Sequence, residues 1–222
     1  MTDFILIIAG VSGVGKTTVA SELALRNPSF KMSRSHTTRA KRGDGRDSEY
    51  IYVTEEEFSS LIAKGEMLEY TKYSGTLYGT SKREIYSILD SGNIPLLVLD
   101  YNGVRSFKAH SLPYPVICVY LYASLDTARE RLVSRHKSSL SQGDAKAASD
   151  KRHLVNIEDY LDIKSRIDSF DFLVENSNLD GAVEEILSIL SNIDKVRSQP
   201  VEYKLGIAEK LYADALKSKN FD

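Results

Sequence analysis

Cysteine is nearly absent from this chain: Cys118 is the single one among 222 residues. An intrachain disulfide framework is therefore excluded, which fits a reducing compartment. Cys118 lies in Pro115-Val116-Ile117-Cys118-Val119-Tyr120-Leu121, a run that reads as a buried strand. It is better taken as a small buried hydrophobe than as a catalytic thiol. Long hydrophobic runs are missing as well. Nothing reaches the length of a bilayer span, and the first apolar run leads straight into a glycine loop, leaving no room for a signal peptide. Nor is there an excess of one charge. With 29 basic and 31 acidic residues the formal net charge is −2, so no global attraction to nucleic acid or to an acidic membrane is expected. The four histidines (His36, His110, His136 and His153) show no metal-ligand spacing. The expectation is a cytoplasmic protein with no nucleic-acid or membrane partner. Its 42% hydrophobic content can bury a sizeable core, in one domain or one domain with lobes.

What is present is a complete G-x-x-x-x-G-K-[ST] loop, Gly10-Val11-Ser12-Gly13-Val14-Gly15-Lys16-Thr17. The apolar run Phe4-Ile5-Leu6-Ile7-Ile8-Ala9 before it suits a strand buried on both faces. Val19, Leu23 and Leu25 after it allow a helix. Strand, loop and helix are the context in which backbone N–H groups and a helix N-terminus cradle phosphate. Gly10, Ser12, Gly13, Val14, Gly15, Lys16, Thr17 and Thr18 are the candidate contacts to a nucleoside triphosphate. Lys16 is placed to reach its β- and γ-phosphates, and Thr17 to ligate Mg²⁺. A glycine-rich turn matching by chance is the competing reading, and both flanks argue against it.

Further apolar runs at 94–99, 116–121 and 170–174 alternate with helical patterns, the order expected of a parallel α/β sheet. Ser81-Lys82-Arg83-Glu84 and Thr54-Glu55-Glu56-Glu57 read as capping boxes. A last core helix is expected over 179–193. Residues 31–80 hold short alternating runs rich in Tyr, Ser and Thr, as in a small, partly exposed sheet inserted into the core. Residues 135–153 are polar and nearly free of large apolar groups, which fits a mobile flap or a disordered surface loop equally well. Beyond Pro200, Leu205, Ala208, Leu211, Tyr212 and Ala215 describe an amphipathic helix outside the core pattern.

Two polar constellations remain. Ser33-Arg34-Ser35-His36-Thr37-Thr38-Arg39-Ala40-Lys41-Arg42 concentrates bases and hydroxyls, although such runs are often solvated faces. Glu69-Tyr70-Thr71-Lys72-Tyr73-Ser74-Gly75-Thr76-Leu77-Tyr78-Gly79-Thr80 crowds a carboxylate, tyrosines and hydroxyls around a hairpin, and alone it could be an ordinary exposed one. Taken with the phosphate loop, they resemble the guanylate kinase family. The family's S-x-T-T-R-x-x-R stretch is matched by Ser35 to Arg42, a downstream Tyr by Tyr50, and its E-(aromatic)…S-G-x-x-Y-G-[ST] stretch by Glu69 to Thr80. The resemblance covers roughly residues 4–190.

It implies a parallel-sheet P-loop core (1–33, 81–125 and 165–193), an inserted mixed-sheet GMP-binding lobe (34–80) and a helical lid (126–164). Together these make a domain of residues 1–193, followed by a C-terminal helical extension over 194–222. It implies Mg²⁺-dependent transfer of the ATP γ-phosphoryl group to GMP or dGMP. Arg39 and Arg42 would grip the dianionic acceptor phosphate through paired N–H bonds, and the hydroxyls of Tyr50 and Tyr78 would complete that grip. Glu69 would accept from N1–H and the 2-amino group of guanine, with Ser35 and Thr80 offering hydroxyls to O6 and nearby ring atoms. Asp100 matches an acid directed towards the guanine side. Arg135 and Arg152 best match the lid arginines that act with Lys16 on the migrating phosphoryl group, whereas Arg131 is expected to face solvent. Asn176 would sit near adenine, or is simply a strand-end turn residue.

The chain also departs from the family pattern. Val98 stands where the first acid of an acid-x-acid pair is usual, and Arg135-His136-Lys137-Ser138 replaces R-G-x-E. Two other readings remain open at this point, a non-catalytic guanylate-kinase-like binding module and a kinase of another phosphorylated metabolite. The C-terminal helix leaves open packing on the domain or self-association as a homodimer.

Overall fold

A computed structural model describes residues 4–41, 47–73, 75–137, 142–195 and 197–219. Two sheets carry the described strands. The first is a parallel sheet of order β2-β7-β1-β8-β9, formed by Phe30–Met32, Ile94–Val98, Ile5–Ala9, Val116–Tyr122 and Phe172–Glu175. The second is a mixed sheet of order β4-β3-β6-β5, formed by Tyr50–Tyr52, Ser35–Thr37, Thr76–Ser81 and Met67–Tyr73. Every residue of β1 is buried, as its unbroken apolar run requires.

β2 has no counterpart among the sequence expectations. Only three residues long, with Phe30 buried and Lys31 and Met32 exposed, it lacks an apolar run and behaves as an edge strand paired to β7. The chain divides into two compact units, Met1–Ile7 with Leu23–Val116, and Ile8–Glu22 with Ile117–Asp222.

The first unit contains the mixed sheet, with α2 (Glu55–Ala63), α3 (Lys82–Asp90) and α4 (Tyr101–Lys108). The box at Thr54 is complete: Glu57 N donates to Thr54 Oγ1 at 3.1 Å and Thr54 N to Glu57 Oε2 at 2.8 Å. The box at Ser81 is only half made. Ser81 Oγ accepts from Glu84 N at 3.2 Å, but the Glu84 carboxylate turns away to Arg34, taking its backbone N–H at 3.1 Å and its guanidinium at 3.1 and 3.2 Å. A charged bidentate partner outcompetes a single backbone amide.

The second unit contains the glycine loop and α5 (Leu125–Lys137), α6 (Gln142–Leu161), α7 (Ile163–Arg166), α8 (Leu179–Ser191) and α9 (Val201–Lys219), while α1 (Lys16–Arg26) begins in it. Neither composition-based reading of 135–153 describes the chain over residues 142–153, which start the 20-residue helix α6 and agree with the helical segment that the resemblance implies over 126–164. Its buried positions Ser149, His153, Asn156, Ile157 and Tyr160 recur at helical spacing, but the first three are polar. Helix α9 packs within this unit. Its buried positions are Lys204, Ile207, Ala208, Leu211 and Ala215, so Lys204 and Ile207 take the inward places expected of Leu205 and Tyr212. Lys204 Nζ donates to Phe170 O at 2.9 Å, and Asp214 Oδ2 accepts from Leu125 N at 2.8 Å at the start of α5.

Candidate active site

The glycine loop links β1 to α1. Gly13 and Gly15 have φ of +85° and +95°, in the region that disfavours side chains. A Cβ on Gly13 would lie 2.3 Å from Ala128 O, and one on Gly15 would lie 2.5 Å from Asn176 Nδ2. The loop is thus pressed against α5 and against the residue following β9. Lys16 Nζ folds back over the loop and donates to Gly10 O at 2.8 Å and Val11 O at 2.9 Å. Thr17 and Thr18 are exposed in the first turn of α1.

Three side chains hold the loop from neighbouring elements. Asn156, fully buried on α6, makes a reciprocal amide pair with the Ser12 peptide: Ser12 N donates to its Oδ1 at 3.1 Å, and its Nδ2 donates to Ser12 O at 2.7 Å. Asn176 Nδ2 donates to Val14 O at 2.8 Å from a 4% exposed position, while its Oδ1 is buried with no hydrogen-bond partner. Arg131 on α5 donates to Val14 O at 3.3 Å and Asn176 O at 3.0 Å. The expectation that Arg131 faces solvent is therefore overturned: its long stem carries the guanidinium to the Val14 carbonyl of the loop and to the Asn176 carbonyl after β9. Arg135, one turn further along α5, is exposed, and Arg152 on α6 is half-buried.

In the first unit the strand register gathers the other candidates. Ser35 pairs with Tyr50, Thr37 with both Tyr52 and Tyr78, and Thr80 with Glu69. Since side chains alternate along a strand, Ser35, Tyr50, Tyr52, Tyr78, Thr80 and Glu69 share one face of the mixed sheet. Tyr70 points to the other face and meets Phe58 of α2 edge-on. A register shift between Met67 and Glu69 marks a β-bulge beside the carboxylate.

Glu69 is only 7% exposed and accepts from Thr80 Oγ1 at 2.7 Å. Burial raises its carboxyl above the usual range; the Thr80 hydroxyl partly opposes this and nearby Asp100 adds to it. Asp100 itself is exposed and caps α4, accepting from Gly103 N at 2.8 Å. Arg39 places its guanidinium carbon 4.8 Å over the Tyr50 ring, and the Tyr50 and Tyr78 rings meet edge-on at 6.1 Å. Arg42 lies outside the described residues. Val98, half-buried, ends β7.

Sequence reasoning did not single out Asn156 or Tyr52. The first hides in a polar helix, and the second reads as one more aromatic of a short strand. Only its spacing of two from Tyr50, the period of a strand face, could have drawn attention to Tyr52.

A glycine loop of the phosphate-binding pattern on a parallel sheet, together with a mixed sheet presenting a buried carboxylate and an arginine over a tyrosine ring, is the pattern of the P-loop kinase class. Family-model comparison places residues 3–193 in "Guanylate kinase". The chain is 32% identical over 193 residues to a guanylate kinase of Thiobacillus denitrificans, covering 84% of this chain and 85% of that one. It is 33% identical over 217 residues to one from Thermotoga maritima, covering 92% and 98%. Among solved structures, guanylate kinase from Anaplasma phagocytophilum superposes with a TM-score of 0.57 over 86% of this chain and 85% of that one, at 24% identity, a likeness of fold. This chain belongs to the guanylate kinase family and is a nucleoside monophosphate kinase. Among the described residues no helix is long and apolar enough to cross a membrane.

Proposed function

We propose that the protein transfers the γ-phosphoryl group of ATP to GMP or dGMP, releasing ADP and the corresponding diphosphate. The observation that carries the acceptor's identity is Glu69, a buried carboxylate held by Thr80 on the face that also presents Ser35, Tyr50 and Tyr78. Guanine offers N1–H and a 2-amino group along one edge, and an ionised carboxylate accepts from both. Adenine would turn a ring acceptor towards it and leave a buried charge unpaired, a mismatch large enough for about 10⁴-fold discrimination. Asp100, beside Glu69, extends the guanine-facing polar wall. Arg39, with Arg42, would grip the acceptor phosphate, and Tyr50 and Tyr78 would add hydroxyl donors.

On the donor side, the loop N–H groups and Lys16 would bind the β- and γ-phosphates once Lys16 Nζ exchanges the Gly10 and Val11 carbonyls for phosphate oxygens. Asn176, whose amide nitrogen is already committed to Val14, keeps an acceptor oxygen for the adenine side. A Mg²⁺ ion of this class is carried largely by nucleotide phosphates and water, so one hydroxyl is a sufficient protein donor, and exposed Thr17 fits that demand. When bound, the ion supplies charge neutralisation on the phosphates. The acceptor phosphate is already anionic at neutral pH, so positioning and charge stabilisation carry the reaction and no general base is invoked. Arg135 and Arg152 are assigned to the lid over 126–164, where they would neutralise the migrating group and exclude water.

The test is a panel of ATP with GMP, dGMP, AMP, CMP and UMP. GMP or dGMP should be the preferred acceptor; preference for AMP or CMP would sink the reading.

A further inference from the structure

The acceptor face of the mixed sheet holds one group that the reading above does not use. Tyr52 stands two residues after Tyr50 on β4 and opposite Thr37, so its ring projects from the same face as Tyr50 and Tyr78. Arg39 Nη2 donates to the Tyr52 hydroxyl at 3.1 Å, and that hydroxyl donates to Asp47 Oδ1. Asp47 Oδ1 lies 3.8 Å from Arg39 Nη2. The same guanidinium carries a buried Nε with no hydrogen-bond partner, although buried donors are rarely left unmet. Lys41 Nζ lies 5.4 Å over the Tyr52 ring and adds positive potential there.

These contacts describe a cup lined by cationic and phenolic donors, with a carboxylate at its rim and one donor unused. We propose that Tyr52 is a third phenol of the acceptor-phosphate cup, and that Asp47 is an internal anion which holds Tyr52 and Arg39 until a phosphate monoester replaces it. A dianionic phosphate offers three oxygens where the carboxylate offers two. It can take the Nε and Nη2 donors of Arg39 together and receive the Tyr52 hydroxyl as well. Tyr52 keeps its ring position in both states, and only the acceptor of its O–H changes. Asp47 therefore opposes binding of the phosphate while keeping the guanidinium aimed in its absence.

The inference rests on the proposed acceptor site and is tested on the full chain with Tyr52→Phe and Asp47→Asn. Calorimetric titration with GMP and with guanosine, which has no phosphate, is combined with KM for GMP and for ATP. Tyr52→Phe should raise the Kd for GMP about tenfold or more, the loss expected for a hydroxyl donated to a charged group, and leave guanosine binding and the ATP KM within about twofold. Asp47→Asn should lower the Kd for GMP several-fold. GMP binding unchanged in Tyr52→Phe, an equal loss of GMP and guanosine, or weaker GMP binding in Asp47→Asn would each overturn the proposal. The last of these would make Asp47 a support for Arg39 and not a competitor of phosphate. If the unmodified protein prefers another monophosphate, the guanine reading fails, and the same variants are measured on that monophosphate and its nucleoside, where the cup still stands or falls. Binding of no monophosphate at all would remove both.

Discussion

Glu69→Gln is the perturbation that most directly examines base reading. The glutamine keeps the shape of the side chain and an oxygen able to accept from Thr80, whose hydroxyl lies 2.7 Å from Glu69 Oε1. It loses the charge and turns an N–H towards one of the two guanine donors. A hydrogen bond to a charged group is worth about 1.5–3 kcal/mol, so losing one and introducing a donor–donor clash should remove about 3–4 kcal/mol. That corresponds to a fall of about 10²–10³-fold in kcat/KM for GMP. The ATP KM should change by less than about threefold, because the nucleotide loop is untouched. AMP, whose ring nitrogen accepts from the new N–H, should gain.

The pH profile gives a second, independent reading of the same variant. Burial raises the Glu69 carboxyl above its ordinary range, and base reading needs the ionised form. kcat/KM for GMP should therefore fall on acidification through that raised pKa, and this limb should vanish in Glu69→Gln. Stability moves the other way. A carboxyl raised in the folded state stabilises the fold fully below its unfolded pKa, and that contribution is lost as pH rises through the folded pKa. At neutral pH the buried charge is thus a burden, and Glu69→Gln should raise stability by about 1 kcal/mol. That gain is about 2–4 °C in Tm for a chain of this size. A GMP kcat/KM within about threefold of the parent, or an acidic limb that persists, would refute the assignment.

Other expectations follow from the second unit. Lys16→Ala should lower turnover by at least about 10³-fold in a coupled assay while leaving GMP binding by calorimetry largely intact, because Lys16 acts on the donor phosphates. Asn156→Ala should raise the ATP KM about tenfold with the GMP KM unchanged, since it removes both hydrogen bonds to the Ser12 peptide and leaves those groups wanting partners. Equal effects on the two substrates would mark a general loss of folding instead. Ending the chain after residue 193 should cost about 5 kcal/mol, from uncovering the apolar surface against Ile207, Leu211 and Ala215 and from releasing the α5 cap made by Asp214. A melting curve would show the loss as a drop of about 10 °C or more.

How far the sequence could be read depended on whether the signal was local. The strand–loop–helix around Lys16 was legible because its chemistry and its fold share one contiguous stretch. The box at Thr54 was legible for the same reason. The box at Ser81 was half wrong because Glu84 had a better partner in Arg34, fifty residues away in sequence. Arg131 was misplaced for a related reason: helical spacing gives the side of a helix but not the reach of a long side chain. Helix α6 was legible only through the resemblance, which implies a helical lid over 126–164; its inward positions Ser149, His153 and Asn156 are polar, so periodicity was present without the apolar residues that reveal it. The grouping of Ser35, Tyr50, Tyr78, Thr80 and Glu69 came from resemblance, and strand register supplies its physical basis.

Asn156 and Arg131 bear on how the loop can bind at all. A phosphate loop works through backbone N–H groups, and a flexible loop would spend binding energy on ordering itself. Here the carbonyls of Gly10 and Val11 face the Lys16 ammonium, the Val14 carbonyl is held by Asn176 and Arg131, and the Ser12 peptide is held at both its polar groups by Asn156. The Ser12 and Val14 carbonyls would repel a phosphate, and both are turned to partners that stay in place when Lys16 leaves Gly10 and Val11 for phosphate. The order this imposes comes from α5, α6 and the residue after β9, the elements carrying the candidate lid arginines and adenine contact. Any displacement of α5 or α6 must therefore be felt in the loop unless Arg131 and Asn156 first let go. Helix motion and triphosphate binding are in that sense one equilibrium, and Asn156→Ala should release α6 from it while Arg131 still ties α5 to the loop.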